Sequence, residues 1–74
     1  MKLVIDTNIY ADYAEGVEKT VDFIASHGQS LYMPSVVMGE IHIGFMMGGR
    51  QQFNERRLRQ FVTRLDVEII PVDA

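Results

Sequence analysis

Leu3-Val4-Ile5-Asp6-Thr7-Asn8 sets three apolar residues directly before a carboxylate and two small polar side chains. An apolar run this short reads as a buried strand, of the kind found where both faces of a sheet are covered. Asp6 then stands at the strand's C-terminal end, the rim at which open parallel sheets hold their ligands. Thr7 or Asn8 opens a helix. Asp, Thr and Asn are also ordinary helix N-caps, so the stretch alone leaves two readings of Asp6 open.

The rest of the chain alternates. Ile9 to Glu15 reads as a short helix stopped by Gly16. Val17, Val21 and Ile24 recur at helical spacing in an amphipathic helix expected to end at Gly28, with His27 as a cap in its last turn. Gln29 to Met33 is a second strand closed by Pro34, and Ser35 has the chemistry of an N-cap for a third helix to about Met47. A fourth helix, Gln51 to Leu65, buries Leu58, Phe61, Val62 and Leu65 at i, i+3, i+4 and i+7. Arg56 and Arg59 point away from that stripe, and Phe53 falls outside it, where it is free to meet another chain. Val67 to Ile70 is the third strand. Strands separated by helix pairs imply an α/β fold with a parallel sheet and right-handed crossovers.

Composition narrows the function classes. The chain has 74 residues, 47% of them apolar, and no cysteine. That removes disulfides, zinc–thiolate sites and thiol nucleophiles, and it fits a reducing cytoplasm. A chain this short without a staple calls for a metal, a partner or an oligomer to hold its core. The net charge of −3 gives no global attraction to nucleic acid or anionic membrane. Five of the seven basic residues, however, lie between Arg50 and Arg64: those two together with Arg56, Arg57 and Arg59. They read either as a solvated basic helix face or as contacts to RNA or to a partner. No signal peptide is legible, and the apolar stretch from Pro34 to Gly49 is too short to span a bilayer.

That stretch carries the second acid of interest. Its helix is apolar on every side, which predicts burial against two layers of the fold or against a partner. Gly39 and Gly44 each weaken it by roughly 1 kcal/mol relative to Ala, so a close approach is expected there. Glu40 is the only charged residue between Ser35 and Gly49, and a buried lone carboxylate costs several kcal/mol unless it is paired or bound to a cation. It is therefore either the partner of an arginine or a metal ligand. As a ligand it shares with Asp6 the C-terminal end of a parallel sheet. Two carboxylates, with water and phosphate oxygens completing the shell, suit Mg²⁺ and phosphodiester hydrolysis. His42, two residues on, points elsewhere and is left out of the site.

In these two motifs the chain resembles the PIN-domain ribonucleases, and among them the VapC-type toxins of toxin–antitoxin systems. Leu-Val-Ile-Asp-Thr-Asn (residues 3–8) is similar to the family's opening, and Pro34-Ser35-Val36-Val37-Met38-Gly39-Glu40-Ile41 to its second signature. Val67 to Asp73 resembles the strand after the fourth helix. The resemblance implies a PIN-like, three-layer α/β/α fold, with a three-stranded parallel sheet and helices on both faces. It implies an endoribonuclease using Mg²⁺ or Mn²⁺ held by Asp6 and Glu40, with Thr7, Asn8 and Ser35 in support. RNA, a second copy and a cognate antitoxin are the implied partners. The later acids of the family have no counterparts, since Asp66, Glu68 and Asp73 do not match them, and Asp73 reads as a helix cap. Residues 1–74 are accordingly expected to form a truncated domain. The alternative is a catalytically silent module for dimerisation or antitoxin binding, built on the Met-rich third helix and the fourth.

Overall fold

The computed structural model describes residues 2–26 and 30–72. The elements run β1 (Leu3–Val4), α1 (Thr7–Ala14), α2 (Glu18–Ser26), β2 (Leu31–Pro34), α3 (Ser35–Met46), α4 (Gln51–Arg64) and β3 (Glu68–Ile70). The three strands are parallel, in the order β1-β2-β3, with Leu3 opposite Leu31 and Met33 opposite Ile69. Ile5 extends the first ladder by donating its N–H to the Tyr32 carbonyl at 2.7 Å. The expected α/β class and parallel sheet are therefore present. The ends expected for the second helix and the start of the second strand, at His27, Gly28 and Gln29, lie outside the described residues, as does Asp73.

Among the described residues, helices on both faces are not found. Two crossovers that advance the same way across a sheet, each right-handed as the rule has it, lie on one face; only a reversal of strand order sends a helix to the other. Burial alternates to match. Leu31, Met33 and Ile5 are buried on the helix side, while Val4 at 52% and Ile70 at 37% remain exposed on the opposite face with Glu68. The described residues thus form a two-layer unit, and the apolar run Leu3–Ile5 is covered on one side only.

The core is Ile5, Tyr10, Ile24, Leu31, Met33, Val37, Ile41, Leu58, Phe61 and Val67. The predicted stripe of α4 supplies Leu58 and Phe61, with Val62 and Leu65 packed against it. Tyr10 and Tyr13 meet the Phe61 ring edge-on at centroid distances of 5.0 and 4.9 Å, fastening α1 to α4. Arg57 adds a tether by donating to the Ala14 carbonyl at 2.5 Å, in the last turn of α1.

Two helices end in the same way. After α1, the Gly16 and Val17 N–H groups donate to the carbonyls of Tyr13 and Asp12, with Gly16 at φ +78°. After α4, Asp66 and Val67 donate to Thr63 and Val62, and Asp66 takes φ +52°. Each is a Schellman turn with a left-handed residue just past the cap. Glycine fills that position in the first and aspartate in the second.

Candidate functional site

Asp6 caps α1: its Oδ1 accepts the Ile9 N–H at 2.7 Å, satisfying one of the free donors of the first turn. The cap occupies one carboxylate oxygen, and the residue is exposed. Thr7 begins the helix, half-buried, and Asn8 is exposed beside it. The hydrogen bond that orients Asp6 comes from the Ile9 backbone, and among the described residues neither Thr7 nor Asn8 supplies another.

Ser35 is not the N-cap of α3. The cap position is Pro34, which makes no side-chain bond, and Ser35 is the first helical residue. Its hydroxyl accepts the Val72 N–H at 3.0 Å, tying the chain that leaves β3 to the start of α3. Because Ile5 continues the β1–β2 ladder, Asp6 stands level with Pro34 at the C-terminal rim. Glu40 follows in the second turn of α3, roughly 8 Å along the helix axis from Ser35.

Glu40 is exposed, contrary to expectation. Only Val37 and Ile41 of α3 are buried, whereas Val36, Ile43, Met46 and Met47 face outward. A helix apolar on every side carries no polar stripe to mark its outer face, so sequence gave no sign of which side faces out. The close approach expected at Gly39 and Gly44 is also absent, with no atom within 4 Å of a Cβ built at either. Glu40 has no ion pair among the described residues, so the arginine partner is not found. His42 is joined instead to Glu55 of α4, Nδ1 to Oε1, at 2.5 Å. At 100° per residue Glu40 and His42 lie on nearly opposite flanks of α3. Glu40 therefore points away from α4, and α1, which carries Asp6 at its start, also packs on α3.

Asp6 thus stands at the C-terminal rim and Glu40 in the second turn of the helix that leaves the adjacent strand, both exposed; among the described residues Asp6 gives one oxygen to the cap and Glu40 has no ion pair. Among the described residues no group of three or more His, Asp or Glu is close enough to hold a metal ion. Two carboxylates are a donor set that Mg²⁺ accepts, since that ion retains several waters and binds through one or two carboxylates. The described strands contain no reversal of order, so the rim lacks the crevice found at a topological switch point.

The arginines divide. Arg57 is tethered to Ala14 and lies 5.6 Å from the Phe53 ring centroid, so it is a packing residue as much as a surface cation. Arg50 lies over the same ring at 4.2 Å, while Arg56 and Arg59 are exposed as expected. Phe53 thus meets two arginines of its own chain. Sequence reading passed over a cavity of about 290 Å³ between α1 and α4, lined by Tyr10, Tyr13, Arg57, Gln60 and Arg64 among others. The three-residue spacing of Tyr10 and Tyr13 on one helix was the available signal. Burial pushes the Tyr10 phenol above its ordinary range; Arg57 opposes the shift and Tyr13 adds to it.

Compared with models of protein families, with curated proteins and with solved structures, the chain matches none. Among the described residues no helix is long and apolar enough to cross a membrane.

Proposed function

We propose that this chain is a PIN-like, metal-dependent endoribonuclease unit of VapC type, in which Asp6 and Glu40 hold Mg²⁺ or Mn²⁺. The observation that supports the reading is the solvent-open Asp6 at the C-terminal rim of the sheet, with the equally exposed Glu40 in the second turn of the helix that follows the neighbouring strand. When bound, the ion supplies an activated water and neutralises charge developing on the phosphate. The chain's own part is positional. The Ile9 N–H fixes one oxygen of Asp6, and the other would be the one to bind the ion. Glu40 is carried on α3, whose first turn Ser35 ties to the chain beyond β3. The ligand set is sparse, so substrate phosphate and water fill most of the shell.

The test is cleavage of a structured RNA with Mg²⁺ by the unaltered chain, Asp6→Asn and Glu40→Gln. Cleavage that is lost in both variants and in chelator supports the reading; equal background rates in all three refute it.

A second reading, an interaction module, is favoured by the exposed apolar face of α3. Ile43 is 59% exposed and Met47 84%, and pliable methionine surfaces suit protein contacts. A second copy or an antitoxin would cover this face. Both readings hold together if the nuclease is a dimer.

A further inference from the structure

We infer that the outward side of α4, from Arg50 to Arg59, is a binding track for single-stranded RNA; the choice of RNA as ligand rests on the nuclease reading above. The decisive feature is a set of cations whose one neighbouring acid, Glu55, is engaged elsewhere. Glu55 is the only acidic residue between Arg50 and Arg64. On a solvated helix face it would pair with Arg59, four residues on. It is turned to His42 instead, and that is the one ion pair among the described residues. Arg56 and Arg59 are therefore left exposed and unpaired, in a chain that carries ten acids elsewhere and here.

The surface around them has the other chemistry that nucleic acid needs. Two adjoining open concavities, of about 550 and 420 Å³, share Gln51, Gln52 and Arg56. The first reaches Arg50 and Phe53, the second Arg59 and the His42-paired Glu55. Phe53 is 41% exposed, with the Arg50 guanidinium over its ring at 4.2 Å. An aromatic ring and a planar guanidinium give sequence-tolerant stacking surfaces, and unpaired arginines take the phosphates. The glutamine amides offer both donors and acceptors to base edges. A polar face with one exposed ring, cations and no free acid suits a flexible polyanion with exposed bases better than a duplex, whose bases are hidden.

Binding of a labelled, unstructured RNA of about twelve nucleotides, followed by fluorescence anisotropy in chelator, tests this without metal or cleavage. The unaltered chain is expected to bind, and to weaken as salt rises. The paired neutral substitution R56Q/R59Q is expected to lower affinity at least about tenfold at low salt and to reduce the salt slope by about 1.4, or 0.7 per lost phosphate contact. Phe53→Ala is expected to weaken binding with the slope unchanged. Because binding is read in chelator, where no cleavage occurs, loss of cleavage and loss of binding fail independently. No binding by the unaltered chain, or equal binding by R56Q/R59Q with its circular dichroism intact, overturns the inference. So does a double variant that binds RNA normally but dissociates a dimer in sedimentation, which assigns the arginines to a contact between copies.

Discussion

At Asp6 one carboxylate does two things, and substitutions can separate them. Asparagine is as good an N-cap as aspartate, whereas alanine loses the bond to Ile9 and costs about 1 kcal/mol. In metal-free denaturation, Asp6→Asn is therefore expected to match the unaltered chain and Asp6→Ala to fall below it. If both variants instead lose nuclease activity in proportion to their stability, Asp6 is only a cap. Asp66 makes a different prediction. A side chain at φ +52° is strained, and Asp66→Gly is expected to stabilise the fold by up to about 1 kcal/mol in urea. Tyr10 sets an alkaline limit. Its pKa is raised in the folded state, mainly by burial, so its contribution is complete below the ordinary phenol value near 10 and declines as pH rises through the higher folded value. Tyr10→Phe keeps the ring against Phe61 and is expected to flatten that alkaline loss of stability, while leaving the slope near neutrality unchanged. A variant that falls as steeply as the unaltered chain above pH of about 10 contradicts this account.

The elements differ in how openly their sequences declare them. The stripe of α4 was legible because Leu58, Phe61, Val62 and Leu65 sit among polar residues, so only one face is suited to burial. In α3 that contrast is missing, and the exposure of Glu40 and Ile43 depends on which flank α1, α4 and the sheet happen to cover. The Schellman turn after α1 was signalled by Gly16, while its counterpart after α4 was hidden because Asp66 is not glycine. Ser35 has the right side chain for a cap, yet Pro34 takes that position and the hydroxyl bonds to Val72 across the fold. The outward face of α3 yields its own prediction. Ile43→Glu removes apolar surface without touching the core, so its melting temperature is expected to stay within about 0.5 kcal/mol equivalent of the unaltered chain. If α3 joins two copies, the same change converts a dimer to a monomer in analytical ultracentrifugation. A dimer that survives it excludes the α3 face.

Across the molecule, ten buried residues among those described, in a chain with no cysteine, hold together a parallel sheet on which the described helices cover one face. The alternation of strands and helix pairs, and hence the parallel sheet, followed from the sequence. Which face the helices cover did not, because strand order, and not any local pattern, sets it. The candidate site inherits that division. Each acid was visible in its own motif, but the rim position of Asp6 emerges only from the β1–β2 register, and the exposure of both acids only from packing. The claim that unites these observations is that Asp6 and Glu40 bind one divalent ion together. Titration with Mn²⁺, following the loss of the free ion's paramagnetic resonance signal without RNA, tests it directly. The account predicts that the unaltered chain binds one ion, and that Asp6→Asn and Glu40→Gln each weaken binding by at least about tenfold with the fold intact. Equal Mn²⁺ affinity in all three proteins, or loss on only one substitution, would contradict it.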